Sequence, residues 1–184
     1  MCCSRQWFAV LILPLGLASG EIISVDVGSE GSNVFKPDRI DASVGDVIQF
    51  RFDANEHSVV QGNSTTGCYP VDNGGFYSGR QSKPATFQVT INSTDTIFVY
   101  SSVDRECQKG MLAFINANTV QEVGYRATVI KSIENESPNH VFGGVLSNSN
   151  ATADGDAKES AAVATTVLGT TTVVALAMTA FLAM

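Results

Sequence analysis

The sequence predicts an all-β sandwich of about seven short strands with one short C-terminal helix. Three observations support this. Apolar residues alternate with polar ones at period two in several runs of five to seven residues. Turn-forming Gly, Pro and Asp separate those runs. Seven such short runs fall within roughly a hundred residues.

The alternation is clearest in VIQFRFD, where Ile48, Phe50 and Phe52 share one face and Gln49, Arg51 and Asp53 the other. It recurs in TFQVTI, with Phe87, Val89 and Ile91 opposite Thr86, Gln88 and Thr90. IISVDV, RIDAS, HSVVQ, TIFVYSS and MLAFIN complete the strand set. Lys36-Pro37, Val44-Gly45-Asp46 and Gly74-Gly75 mark turns. After the last strand, Thr119 and Glu122 form a capping-box pair, and Val120, Val123, Ala127 and Ile130 fall on one stripe. This predicts a helix packed through that stripe onto the outside of the sandwich. From Glu134 onward Ser, Asn, Asp, Gly and Ala dominate, so residues 135–160 read as a flexible stalk, and His140 within it receives no role.

Both ends read as processing signals. Residues 1–20 combine Arg5, an apolar run from Trp7 to Leu17 and Ala18-Ser19-Gly20, the pattern of a secretory signal peptide cleaved before Glu21. Residues 161–184 carry no charge and end in the apolar run Val173 to Met184. With small residues at 160–162 and a Thr-rich spacer, this is the order of a glycosylphosphatidylinositol (GPI) anchor signal, with Ser160 as the attachment residue and Gly155 as the alternative. A spanning helix is the competing reading, weakened because the Thr-rich segment interrupts the roughly 20 apolar residues such a span needs. The domain between the signals is expected to cover residues 21–134. The expected location is the extracellular face of the plasma membrane or the cell wall, with the lipid anchor in the outer leaflet.

The mature chain keeps all 18 acidic residues but only 10 of the 11 basic ones, because Arg5 leaves with the signal, and its net charge is −8. An acidic surface without a basic stripe excludes nucleic acid as a partner. Cys2 and Cys3 also leave, so Cys68 and Cys107 meet the oxidising lumen alone and should pair. On a chain-entropy estimate that closure contributes about 4 kcal/mol. Asn63, Asn92, Asn135 and Asn150 each head an N-x-S/T glycan acceptor triplet, the third of them followed by Pro138.

Between residues 96 and 116, TIFVYSSVDRECQKGMLAFIN places Ser101, Glu106 and Met111 five residues apart. Together with FKPDRIDASVGDVIQFRF and Glu56-His57-Ser58-Val59-Val60, the order F-x-P…I-x-A-x-V-G-D-x-I-x-F-x-F…H-S-V…C…C-x-x-G-M…I-N resembles the cupredoxins over residues 22–117. The resemblance is strongest to fungal GPI-anchored cupredoxin-like and extracellular serine-rich proteins and to plant phytocyanins. It implies a Greek-key sandwich, a disulfide between the matching cysteines, and a copper site whose first ligand matches His57 and whose axial ligand matches Met111. The thiolate and second-imidazole positions of the family's C-x4-H-x4-M loop are Ser101 and Glu106 here.

A blue-copper site needs two imidazoles, a Cys thiolate and a weak axial ligand. A serine hydroxyl supplies no soft sulfur donor, and Cys107 is committed to Cys68. No cofactor is therefore expected. The alternative is weak Cu(II) or Zn(II) binding through His57, Glu106 and Met111, helped by Asp104, in copper handling or redox. Without metal, a His57–Glu106 pair would fill the place, with Ser101 bonded to one of the two and Met111 packed among apolar neighbours. Ser101, His57 and Glu106 lack a nucleophile elbow, so no enzyme is expected. The resemblance to copper-free early nodulin-like phytocyanins implies a fungal surface protein that binds cell-wall glycans or surface proteins.

Overall fold

The computed structural model describes residues 20–53 and 55–148. The signal peptide apart from Gly20, Asn150, Gly155, Ser160 and the C-terminal apolar run lie outside the described residues.

The described residues form an all-β sandwich with a single α-helix. In chain order the strands are β1 (Ile22–Val27), β2 (Phe35–Lys36), β3 (Arg39–Ile40), β4 (Val47–Phe52), β5 (Val60–Asn63), β6 (Gly67–Pro70), β7 (Ala85–Thr90), β8 (Ile97–Tyr100), β9 (Leu112–Ile115) and β10 (Val145–Asn148), with α1 (Thr119–Lys131) between the last two. One sheet has the order β10-β7-β4-β1-β2 and the other β3-β9-β8-β5-β6. β1 runs parallel to β4, and β3 parallel to β9. The seven predicted strands correspond to β1, β3, β4, β5, β7, β8 and β9. β2, β6 and β10 were not foreseen; β2 is two residues long and β6 is the return arm of a hairpin, too short to show a period.

Alternation works where one face of a sheet meets water. In β4, Ile48, Phe50 and Phe52 are buried and Arg51 is exposed, and β7 repeats the pattern with Ala85, Phe87 and Val89 inside. β9 is buried at every residue because its sheet is covered on both sides. Val99, Ala113 and Ile115 face the main core between the sheets, while Phe98, Tyr100, Leu112 and Phe114 belong to a second core under α1.

The helix corrects the expected packing face. Val120, Val123, Ala127 and Ile130 point outward, and Glu122, Tyr125 and Val129 are buried instead. Tyr125 stacks on Phe98 with ring centroids 4.3 Å apart and meets Phe114 edge-on, while its hydroxyl donates to the Gly67 carbonyl at 2.8 Å. The aromatic contact area of Tyr125 outweighs a stripe of β-branched residues. The cap also lies one residue earlier than expected: Asn118 accepts from the Gln121 N–H and the Gln121 side chain accepts from the Asn118 N–H. Glu122 is drawn away by Arg39, whose guanidinium donates to both carboxylate oxygens at 2.6 and 2.7 Å. That pairing holds the Glu122 carboxyl below the usual carboxylate range.

The stalk is also corrected at its start, because residues 135–148 belong to the sandwich. Tyr100 Oη donates to the Glu136 carbonyl at 2.6 Å, the Glu136 N–H donates to the Cys68 carbonyl, and Tyr77 and Phe142 exchange backbone hydrogen bonds. β10 then pairs with β7 from Val145↔Gln88 to Asn148↔Ala85. Polar composition concealed this strand because an edge strand buries one side only, and Leu146 is its single apolar contact with the core. A secreted chain ending at Glu134 should therefore unfold at markedly lower urea than one ending at Asn148. Equal midpoints in circular-dichroism titrations would show that 135–148 is dispensable.

Candidate functional site

The site lies at the end of the sandwich where β1, β8 and the segment before β5 finish together. Two backbone hydrogen bonds with Gln81 hold His57 as an isolated bridge, so its ring is presented by extended chain just ahead of β5. Ser101 and Ser102 follow β8 directly, and Met111 precedes β9. Between them the chain turns back tightly: the Glu106 N–H donates to the Val103 carbonyl at 3.0 Å, the Gly110 N–H to the Cys107 carbonyl at 2.9 Å and the Met111 N–H to the Glu106 carbonyl at 2.9 Å. Cys107 in this loop is disulfide-bonded to Cys68 in β6, which ties the loop to the edge of its own sheet.

His57, Ser101, Glu106 and Met111 are all buried. His57 Nδ1 lies 3.0 Å from Glu106 Oε2, and Ser101 Oγ donates to the same oxygen at 2.6 Å. Ser101 Oγ in turn accepts the Ser58 N–H at 3.1 Å. One carboxylate oxygen thus collects a ring nitrogen and a hydroxyl, and the hydroxyl relays to the backbone. The Met111 side chain packs in the main core, and its backbone joins the loop to the site, its carbonyl accepting the Ser101 N–H at 3.3 Å. Asp104 stands apart, with a side chain 83 % exposed and directed to Arg80 at 3.9 Å.

Several participants carry no chemical signature in the sequence. Ser58 Oγ and Ser102 Oγ are 2.9 Å apart, the Ser102 N–H donates to Ser58 Oγ, and Ser137 Oγ donates to Ser102 Oγ at 2.6 Å. Asn135 Nδ2 reaches the Ser101 carbonyl at 3.5 Å. Gly28 covers the far side of the histidine. It adopts φ 77°, and a Cβ built there would come within 2.1 Å of His57 Nε2. Nε2 is buried and has no hydrogen-bond partner among the described residues.

This donor set does not fit a type 1 copper. Such a site requires two imidazole nitrogens and a thiolate, whereas the side chains that meet here are one imidazole, one carboxylate and one hydroxyl. Among the described residues, no group of three or more His, Cys, Asp or Glu side chains is placed to hold a metal ion. What the arrangement can do is bury a carboxylate with two charge-assisted hydrogen bonds and lock the loop to the strands on either side.

Replacing Gly28 by Ala should displace His57 and cost about 2–4 kcal/mol, from left-handed backbone strain plus loss of the His57–Glu106 contact. Gly31 is the control: it also has positive φ, but an added Cβ would meet nothing closer than 3.9 Å. Gly31→Ala should therefore cost about 1 kcal/mol, and equal losses for the two variants in urea unfolding would remove the packing argument.

No family model matches the sequence. Two curated proteins of Arthroderma benhamiae are similar to it. The one described as "Probable GPI-anchored cupredoxin-1" is 32% identical over 144 residues, covering 76% of each chain. The one described as "Extracellular serine-rich protein" is 33% identical over 138 residues, and the match spans about half of that longer protein, 54%. Among solved structures, auracyanin A of Chloroflexus aurantiacus aligns over 54% of this chain and 100% of its own, at 14% identity and a TM-score of 0.42. A fern plastocyanin aligns over 50% of this chain and 96% of its own, at 19% identity and a TM-score of 0.37. With the first relative matched across three quarters of both chains, the chain belongs to the cupredoxin superfamily.

Proposed function

We propose that this chain is a cell-surface cupredoxin-like binding or structural protein in which a hydrogen-bonded side-chain network stands where its family places a type 1 copper. The observation that supports this reading is the convergence of His57 Nδ1 and Ser101 Oγ on one buried oxygen of Glu106. Nδ1 of the histidine at the first-ligand position is directed at a carboxylate, and the residue at the thiolate position donates its hydroxyl proton to the same group. The role is then one of presentation. A rigid sandwich displays its surface to cell-wall glycans or other surface proteins, and neither catalysis nor electron transfer belongs to it.

The surface location is supported by two relatives, one described as GPI-anchored and the other as extracellular. Among the described residues no helix is long and apolar enough to cross a membrane. The start of the domain also suits cleavage before Glu21. The Glu21 backbone N–H already donates to Asp46 Oδ1 at 2.8 Å, so cleavage there would turn this hydrogen bond into an ammonium–carboxylate pair.

Metal analysis and a visible spectrum of the mature protein from a copper-replete host test the reading. The expected result is substoichiometric copper and no intense thiolate-to-copper band. Stoichiometric copper abolished by His57→Ala would establish the metal-handling alternative instead. The double variant Ser101→Cys with Glu106→His supplies the missing sulfur and imidazole, and should bind copper and turn blue. A folded double variant that binds no copper would count against a metal-site origin for this pole.

A further inference from the structure

At the end of β5 and β8 remote from His57, a groove of about 720 Å3 opens between the sheet surface and α1. This lies within the range of about 300–1,000 Å3 common for ligand sites. Its walls carry the amides of Gln61, Asn73 and Gln121 and the carboxylate of Asp72, and Phe98 and Tyr125 also line it. Amides and a carboxylate around the groove suit the hydroxyl and N-acetyl groups of a sugar. Asn63, the first residue of an N-x-S/T triplet, is itself part of the lining.

We propose that Asn63 carries an N-linked glycan whose first N-acetylglucosamine is seated in this groove. The Asn63 carboxamide is held at both ends. Its Oδ1 accepts the Thr65 N–H at 2.9 Å and the Thr65 hydroxyl at 2.7 Å, and its Nδ2 donates to Asp72 Oδ2 at 3.3 Å. In the transfer step Nδ2 attacks C1 of a lipid-pyrophosphate-linked oligosaccharide. The N–C1 bond forms, the C1–O bond to pyrophosphate breaks, the lipid pyrophosphate leaves and Nδ2 loses one proton. The hydrogen that remains on Nδ2 can keep the bond to Asp72, which fixes the direction in which the sugar leaves the asparagine. Asp72 is thus a positioning residue for the glycan. Asn135 differs: its Nδ2 is directed to the Ser101 carbonyl beside the pole, and Pro138 follows its triplet.

The proposal rests on the secretory reading above, and glycopeptide mass spectrometry of the full chain from a glycosylating host separates the two. A glycan at Asn92 with Asn63 bare would defeat the groove proposal alone, and no glycan at either site would defeat both. With Asn63 occupied, the protein is trimmed by an endoglycosidase to single N-acetylglucosamine residues and compared with Thr65→Ala. The loss of Tm on Thr65→Ala should be larger by about 3 °C or more in this material than in protein made without glycosylation in an oxidising bacterial compartment. Asp72→Ala should keep Asn63 occupied yet lose the sugar-dependent protection from hydrogen exchange over residues 61–64 and 71–73. Equal Tm losses in the two hosts, with no sugar-dependent protection, would overturn the proposal.

Discussion

A carboxylate taken out of water must be paired, and the way Glu106 meets that requirement organises the end of the sandwich that holds His57 and Ser101. Its Oε2 receives the His57 ring from the segment before β5 and the Ser101 hydroxyl from the end of β8. Removing one partner so that a buried polar group is left unsatisfied commonly costs about 1–3 kcal/mol, because the group that remains is desolvated and alone. Each of the three side chains therefore makes the others tolerable in an apolar setting. Gly28 extends the dependence to β1, because only a residue without a side chain leaves room for the imidazole in this position.

The same loop is held from its other side by the Cys107–Cys68 bridge, and Cys68 in turn lies beneath the helix and the segment that follows it. The Cys68 N–H donates to Ser132 Oγ, and its carbonyl accepts the Glu136 N–H. The pole, β6, α1 and the lead into β10 thus form one connected assembly. Tyr100 and Tyr125 are buried where an ionised phenol would be desolvated, which raises both above their ordinary values and keeps them neutral hydrogen-bond donors to the Glu136 and Gly67 carbonyls. These polar anchors add direction to a second core that is otherwise apolar.

Much of this was legible in the sequence, for reasons that differ by element. β4 and β7 announce themselves because one of their faces is solvated, so period two survives in the residue types. The helix was correctly placed but rotated: Val120, Val123 and Ile130 mimic a packing stripe, while the true contact rests on a single tyrosine whose worth depends on Phe98 and Phe114 lying opposite. β10 was hidden because its stability comes from hydrogen bonds to β7, which leave no trace in composition. At the site, the five-residue spacing of Ser101, Glu106 and Met111 marked the loop, and His57 was identified through the resemblance. Ser58, Ser102, Ser137 and Gly28 could not be found that way, since their roles arise from proximity between distant segments.

The central claim is that His57 and Glu106 act as one unit, and a double-mutant cycle on that pair measures it most directly. Urea unfolding of wild type, His57→Ala, Glu106→Ala and the double variant should give a double-variant loss smaller than the sum of the single losses by about 1.5 kcal/mol or more. Single losses that simply add, within about 0.5 kcal/mol, would contradict the account, because two groups that do not sense each other cannot act as one unit.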